Sequence, residues 1–172
     1  MSDVKGPGMI GPEEFSSLVE TYQTNMLRTC CVLLDDPALA EDAVQETWIK
    51  VYRNLTAFRG ASSIKTWLMK IAVNTCRDMQ RGGWFKHTDR RITPDMLPEA
   101  SVPFRDDDEE LLLQVMKLPR QLREAIILYY YQDMNTEDVG KALGCTKSAV
   151  SRRLSKARNI LRDVLKEGEK DE

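Results

Sequence analysis

The sequence predicts an all-α protein made of two small helical domains joined by an acidic flexible linker. Apolar residues recur at helical spacing along most of the 172 residues, and no stretch alternates with the period of two that a half-buried strand shows. Residues 93–110 hold three prolines and seven acids against one arginine, a composition that does not fold alone. The predicted organisation is a flexible leader (1–11), a first domain (12–92), the linker (93–110), a second domain (111–167) and a tail (168–172).

Three helices account for the first domain. The pair Asp36-Pro37 supplies an N-cap and a proline at the first helical position of the second helix. The stretch "FRGASS" interrupts the pattern, and Ser63 at its end is placed to cap a third helix that ends near the glycines after Arg81. The third helix is expected to turn six side chains inward: Ile64, Trp67, Leu68, Ile71, Thr75 and Met79.

The second domain contains a cap–turn–cap pattern. Asn135 is placed to cap a short helix that Gly144 ends, and Thr146 to cap the next helix. Gly140 is small enough to let the two helices cross closely. In the second helix, apolar residues recur at offsets of four, seven, eleven and fifteen: Val150, Leu154, Ala157, Leu161 and Leu165. These features together predict a helix-turn-helix.

Charge is segregated on the second helix of this motif. Seven Lys or Arg and no acid lie between Lys141 and Arg162, although the formal net charge of the chain is −2. The periodicity turns hydroxyls, cations and an amide outward: Lys147, Ser148, Ser151, Arg152, Ser155, Lys156 and Asn159. Such cations reach guanine O6 and N7 in the DNA major groove, and hydroxyls hold phosphates. A solvated cationic face is the alternative, but the absence of acids favours duplex DNA binding.

The third helix carries a second polar face. Cations and an amide share one side of it at offsets of four, seven and eleven: Lys70, Asn74, Arg77 and Arg81. With Phe58 and Trp67 nearby, this face suits single-stranded DNA, whose backbone charge and unstacked bases are bound together. Trp67 occupies an apolar position, so packing in the core is favoured over base stacking.

The second helix has a mixed polar face with apolar residues at its edge: Glu41, Asp42, Gln45, Glu46 and Lys50, beside Ile49 and Tyr52. A face of this kind is typical of docking on another protein. A merely solvated helix explains the same pattern, and the sequence alone leaves both interpretations open.

Composition argues against several other classes of protein. With a single histidine, His87, and no C-x-x-C pair, no metal site is expected, and the four cysteines are predicted to be free thiols in a reducing cytoplasm, a redox-sensing thiol being the alternative. No phosphate-binding glycine loop or hydrolase motif is present, so we expect a non-enzymatic protein without cofactors. No run approaches the ~18 apolar residues of a membrane span, and the N-terminus lacks a signal-peptide pattern.

Two blocks in this order resemble the extracytoplasmic-function (ECF) sigma factors of bacteria: "EDAVQETWIKVYRNLTAFRGASSIKTWLMKIAVNTCRD" and "LPRQLREAIILYYYQDMNTEDVGKALGCTKSAVSRRLSKAR". The resemblance covers about residues 13–165. It implies a cytoplasmic protein that binds core RNA polymerase, recognises promoters of a stress or signal regulon, and promotes DNA melting within the polymerase. It also implies an anti-sigma factor as a partner.

The resemblance further implies three sets of site residues. Those for docking on core polymerase are Asp42, Gln45, Glu46, Ile49 and Tyr52. Those for the single-stranded −10 element of the non-template strand are Phe58, Arg59, Ser62, Ser63, Lys70, Asn74, Arg77, Asp78 and Arg81. Those for the duplex −35 element are Lys147, Ser148, Ser151, Arg152, Arg153, Ser155, Lys156 and Arg158.

The chain departs from the common family pattern at two places. Ser151-Arg152 reverses the order of basic residue and serine found in many relatives, which predicts an unusual −35 preference. Val73 stands where many relatives have arginine, which removes one backbone contact to DNA.

Two other functions compete with the sigma-factor reading. An autonomous helix-turn-helix repressor would bind duplex DNA tightly without polymerase. A helical adaptor with no nucleic-acid role would not require an acid-free basic helix.

The acidic run at 106–110 raises a further expectation. Five consecutive acids repel one another and predict a locally extended chain. Such a chain could occupy a basic channel of the polymerase, fold back on the basic helix, or act only as a spacer.

Overall fold

A computed structural model describes residues 10–82, 108–168 and 170, and in this part of the chain every regular element is a helix. The N-terminal domain comprises α1 (Pro12–Leu34), α2 (Pro37–Arg53), a short 3₁₀ turn (Leu55–Ala57) and α3 (Ile64–Arg81). The C-terminal domain comprises α4 (Asp108–Lys117), α5 (Arg120–Ile126), a π-helical turn (Ile127–Tyr131), α6 (Thr136–Leu143) and α7 (Lys147–Gly168). The predicted all-α class with two helical domains is confirmed. The predicted leader and residues 93–107 of the linker lie outside the described residues, apart from positions 10 and 11.

The predicted helix starts of the N-terminal domain are confirmed. The Asp36 carboxylate accepts hydrogen bonds from the backbone N–H groups of Ala38 at 2.9 Å and Leu39 at 3.2 Å, which caps α2. The Ser63 hydroxyl accepts one from the N–H of Thr66 at 3.1 Å, which caps α3. Each cap satisfies backbone donors that the first helical turn leaves without a partner.

The helix-turn-helix has the predicted helix caps and the predicted glycines at its turn. The Asn135 side chain caps α6 through the N–H of Asp138 at 2.8 Å, and the Thr146 hydroxyl caps α7 through the N–H of Ala149 at 3.1 Å. Gly144 ends α6 with φ of 70°, a left-handed conformation that glycine adopts without steric cost. A Cβ atom on Gly140 would lie 2.7 Å from the carbonyl oxygen of Cys145, so the close approach at this turn requires glycine.

The first helix of the C-terminal domain begins earlier than predicted. Residues 108–110 of the acidic run form the first turn of α4, so the expectation of an extended chain is wrong for these three acids. Acidic side chains at a helix N-terminus interact favourably with the helix dipole, and this offsets their mutual repulsion. Residues 106 and 107 lie outside the described part of the chain.

The two domains pack on each other around α3. Buried apolar residues from both domains form one continuous cluster, with α3 against α6 and α1 against α5. The set of side chains predicted to face inward on α3 is therefore incomplete. Helices of both domains cover α3, so it buries residues on two sides rather than one. Met69, Ala72, Val73 and Cys76 are buried, whereas the predicted Ile64, Trp67, Ile71 and Met79 are only half-buried. Val73, which the sequence comparison set apart, is thus a core residue where the two domains pack together.

Candidate nucleic-acid and protein-docking interfaces

The outward side of α7 is a continuous basic face. We call this face, made of six exposed residues, the basic face: Lys147, Ser148, Ser151, Arg152, Ser155 and Lys156. The apolar side of the helix is buried as predicted at Val150, Leu154, Ala157 and Leu161, and Leu165 is half-buried. In the part of the chain that the structure describes, no carboxylate forms an ion pair with a cation of the basic face. These cations are therefore available to a ligand.

Arg153 does not lie on the basic face. Its side chain is half-buried, and its Nη1 atom is enclosed without a hydrogen-bond partner among the described residues. Consecutive residues of an α-helix diverge by about 100°, so the neighbour of an outward Arg152 turns toward the flank. The structure therefore separates Arg153 from the other residues predicted to read the −35 element.

Arg158 lies at the edge of the basic face against two aromatic rings. Its Nε–H donates a hydrogen bond of 2.6 Å to the Tyr130 hydroxyl. Its guanidinium carbon is 5.6 Å from the centre of the Tyr130 ring and 5.9 Å from that of Tyr129. Both distances are within the range of a cation–π interaction. No feature of the sequence marked these tyrosines.

The predicted −10 face on α3 contains four exposed residues: Lys70, Asn74, Asp78 and Arg81. Asp78 compensates the cations around it, since it forms an ion pair with Arg81 and lies 3.7 Å from the Nζ atom of Lys50. Lys50 also donates to the Thr75 hydroxyl at 3.1 Å. Charge on this face is thus partly balanced within the domain.

Arg77 is turned away from that exposed group and joins the two domains. Its Nε and Nη2 atoms donate to the two carboxylate oxygens of Glu124 at 2.9 and 2.7 Å, and its Nη1 donates to the carbonyl of Leu143 at 3.2 Å. The side chains of Arg77 and Glu124 are 20% and 2% exposed. The hydrogen bond with Glu124 raises the pKa of Arg77, which stays fully charged. The geometry is the bidentate fork in which arginine binds carboxylates most strongly.

Further polar contacts cross the same domain interface. Arg123 donates to the carbonyl of Val32 near the end of α1 at 3.2 Å, and desolvation lowers the pKa of this arginine. The Gln132 amide donates to the Thr29 hydroxyl at 2.8 Å, and Lys65 donates to the backbone carbonyl of Gln132. Sequence reasoning missed these residues, because their partners are more than sixty positions away.

The loop before α3 is shaped by an aromatic pair and a helix cap. Phe58 packs against Trp67 with ring centres 5.1 Å apart, and Trp67 is half-buried. Gly60 has φ of 72°, which permits the turn, and Arg59 beside it is exposed. Ser63 is engaged in the cap of α3, while Ser62 is half-buried. This loop leads directly into α3, so it adjoins the helix that carries the predicted −10 face.

The predicted docking face on α2 is exposed. Asp42 and Gln45 are exposed, Glu46 is half-buried, and Ile49 and Tyr52 are 44% and 61% exposed. The Phe15 ring of α1 contacts Tyr52 edge-on, with ring centres 5.3 Å apart. We call Asp42, Gln45, Glu46, Ile49 and Tyr52 the α2 face. It has the mixed composition of a protein-docking surface.

The four cysteines are free, and the three of the N-terminal domain, Cys30, Cys31 and Cys76, are buried. A hydrogen bond with the Cys76 thiol, together with burial, raises the pKa of Cys30 well above its ordinary value. Burial and the nearby Glu41 raise the pKa of Cys31 to about 11. Because the thiolate is the reactive form, these thiols are poorly suited to redox sensing. Cys145, in the turn before α7, is half-buried.

Fold and surface together define a two-domain helical DNA-binding protein, and comparison with known proteins identifies its family. The profile of sigma-70 region 2 matches residues 18–85, and that of sigma-70 region 4 matches residues 108–161. The RNA polymerase sigma-H factor of Pseudomonas aeruginosa is 31% identical over 166 residues, which cover 88% of this chain and 86% of that protein. The ECF RNA polymerase sigma factor SigW of Bacillus subtilis is 24% identical over 90% of both chains. The chain belongs to the ECF group of RNA polymerase sigma factors.

Solved structures support the same fold. The sigma factor RpoE of Bartonella quintana, in complex with the anti-sigma factor NepR, matches 90% of this chain and 98% of its own with a TM-score of 0.73. CnrH, in complex with the cytosolic domain of CnrY, matches with a TM-score of 0.67. Both are below 25% identical to this chain. Among the described helices, none is both long and apolar enough to cross a membrane.

Proposed function

We propose that this sigma factor binds core RNA polymerase through the α2 face and reads two promoter elements with two different helices. The basic face of α7 reads the −35 element as duplex. The loop before α3 and the exposed side of α3 hold the −10 element of the non-template strand after melting. The observation that carries this proposal is the exposed, acid-free basic face on a helix-turn-helix, in the same chain as a sigma-70 region 2 domain.

Binding of the −10 element by Arg77 requires a change in the contact between the two domains. Arg77 is one of the residues proposed to hold the melted strand, yet its donors are taken up by Glu124 and by the Leu143 carbonyl. A phosphate can replace the carboxylate, because both accept the same bidentate pair of N–H donors. Since Glu124 belongs to α5, this exchange requires the two domains to separate when the chain acts in the polymerase.

We further propose that the protein acts in the cytoplasm, without catalysis of its own, and that an anti-sigma factor regulates it. DNA opening would be a property of the assembled polymerase, to which this chain contributes recognition and binding of the melted strand. The anti-sigma partner is proposed because two structurally similar sigma factors were solved in complex with NepR and with CnrY.

Run-off transcription tests the function directly. Core polymerase supplied with this chain should produce discrete transcripts from a library of genomic fragments, and their start sites should share −35 and −10 elements. The matched control is Ile49→Asp on the α2 face, where a 44% exposed side chain can be changed without opening the core. This variant should lose the transcripts while keeping its helical content.

The same experiment separates the competing function of an autonomous repressor. A repressor would bind duplex DNA tightly as a free chain and would yield no transcripts with core polymerase. That result would reject the proposed function.

A further inference from the structure

The π-helical turn Ile127–Tyr131 places a pair of tyrosines beside α7 that the proposed function leaves without a role. The turn is closed by a hydrogen bond of 3.1 Å from the N–H of Gln132 to the carbonyl of Ile127. Such turns insert one residue into a helix and often occur at functional sites. Tyr130 is 52% exposed, and its ring meets that of Tyr129 edge-on with centres 4.8 Å apart. The pair therefore forms a fixed aromatic corner on the surface.

Arg158 of α7 is held in that corner on two sides. The Nε–H is fixed by the Tyr130 hydroxyl at 2.6 Å, and the guanidinium is near both ring centres, at 5.6 and 5.9 Å. These contacts restrain a side chain that otherwise has many rotamers. They leave the Nη1 and Nη2 groups, whose N–H donors form no other hydrogen bond to the described residues.

The charge of Arg158 is not compensated by the described residues. Arg77 is paired with Glu124 and Arg81 with Asp78, whereas no described carboxylate lies within ion-pair distance of Arg158. Two tyrosine hydroxyls and two rings bring no negative charge. An oriented guanidinium with free terminal donors and full charge is the arrangement that binds a phosphate group.

The position of Arg158 indicates which phosphate this would be. It follows Ser151 by seven residues and Ser155 by three, so it lies on their side of the helix but nearer the buried flank. Residues at the centre of such a face reach base edges, whereas residues at its flank reach the phosphate backbone along the groove. Arg158 thus lies at the border of the surface proposed to enter the major groove.

We propose that Arg158 binds a backbone phosphate at the edge of the −35 duplex, and that Tyr130 is the positioning residue that orients it. The proposal rests on the proposed function of α7 as the −35 reader. Tyr130 acts through Arg158, because its hydroxyl accepts the Nε–H and so directs the terminal donors outward. Tyr129 contributes its ring alone to the contact.

The test uses holoenzyme assembled from core polymerase and full-length chain, with a duplex carrying the −35 element recovered by run-off transcription. Binding is measured as a function of salt for the wild type, Arg158→Ala, Tyr130→Phe and the double variant. The matched control is Tyr129→Phe, which removes a neighbouring hydroxyl that makes no hydrogen bond to Arg158. In the free chain, the ¹⁵Nε–¹Hε NMR resonance of Arg158 reports on its orientation.

The expected result is a pattern across both readouts. Arg158→Ala should weaken binding about tenfold and reduce the salt slope by ~0.9, the value for one lost phosphate contact. Tyr130→Phe should shift the Arg158 resonance and weaken binding about threefold, as expected for loss of one orienting hydrogen bond. The double variant should bind like Arg158→Ala, and Tyr129→Phe like the wild type.

Two other outcomes overturn the proposal in distinguishable ways. If the wild-type holoenzyme binds but Arg158→Ala leaves the salt slope unchanged, Arg158 and Tyr130 only join α7 to the π-helical turn, and the phosphate site is rejected alone. If the wild-type chain confers no promoter binding on core polymerase, the proposed function fails and the phosphate site with it.

Discussion

The two helices proposed to read promoter DNA, α3 and α7, differ in the availability of their cations. On α7 the cations of the basic face are exposed and have no ion-pair partner among the described residues. On α3, Arg77 is bound to the buried Glu124 across the domain interface, and Arg81 is paired with Asp78. The surface proposed to read duplex DNA is therefore accessible in the free chain, whereas the surface proposed to bind the melted strand is partly occupied by Glu124 and Asp78. The proposed −10 contact of Arg77 therefore requires the two domains to separate, whereas the proposed −35 contacts of α7 do not.

The largest effect is expected from breaking the contact between Arg77 of α3 and Glu124 of α5. Arg77→Ala leaves the buried Glu124 carboxylate without its bidentate partner, with Arg120 at 3.8 Å and Arg123 also near it. Since a buried carboxylate that loses its hydrogen-bonded partner is costly, the free energy of unfolding should fall by about 3 kcal/mol. Glu124→Gln should cost less, about 1 kcal/mol, because a partly exposed Arg77 can turn to water. Urea unfolding followed by circular dichroism measures both, and losses below ~0.5 kcal/mol in each would show that the pair behaves as an ordinary surface bridge.

The next effect concerns the basic face. Arg152→Ala and Lys156→Ala should each weaken discrimination among −35 variants by about 1–3 kcal/mol, because base-reading contacts are lost. Helical content should not change, since both side chains are exposed. Transcription from a set of −35 variants is the measurement.

The control for the basic face is Arg153→Ala on the same helix. The half-buried Arg153 should affect unfolding rather than base preference. Identical promoter preference in wild type, Arg152→Ala and Lys156→Ala would reject base reading by this face.

A smaller effect is expected at Asn74, which is exposed on α3 and takes no part in the contact with Glu124. If Asn74 holds the melted strand, Asn74→Ala should reduce open-complex formation about fivefold, equivalent to ~1 kcal/mol. Binding of core polymerase should persist. Permanganate reactivity of thymines in the −10 region follows the melting, and unchanged reactivity would remove Asn74 from the site.

The smallest effect is expected from chemical modification of the cysteines, which reports on the packing of α3 and of the turn before α7. Cys76 lies in α3 among buried thiols, and Cys145 lies in the turn before α7. Ellman's reagent at neutral pH should modify Cys145 first. Cys30, Cys31 and Cys76 should react only on unfolding, because burial excludes the reagent and the pKa values of Cys30 and Cys31 are raised. Rapid reaction of all four thiols in the folded chain would contradict the packing of α3.

The features of the fold that are coded locally could be predicted from sequence. Caps such as Asp36, Ser63 and Asn135 act on backbone donors within three residues, and Gly144 acts on its own φ angle. The basic face follows from helical periodicity for the same reason. Periodicity did not place Arg153 on this face; Arg153 entered the −35 set only through the family resemblance, and its side chain is half-buried.

Features that depend on contacts between distant segments could not be predicted. In the sequence, Glu124 does not differ from other acids on helices. Its contact with Arg77, 47 positions earlier, forms only when the two domains pack together. The tyrosine pair acquires its contact with Arg158 only through the π-helical turn. The first turn of α4 was misjudged because repulsion within the acidic run was considered without the helix dipole that offsets it.

We expect Glu124 to withhold Arg77 from DNA in the free chain, and binding of the free protein to a single-stranded −10 oligonucleotide measures this. Glu124→Gln should bind about tenfold more tightly than the wild type, a gain of ~1.4 kcal/mol, and adding Arg77→Ala should abolish the gain. Glu137→Gln is the matched control, because it removes one negative charge from an exposed ion pair with Lys141. Equal binding by the wild type and Glu124→Gln, or an equal gain in Glu137→Gln, would contradict the claim.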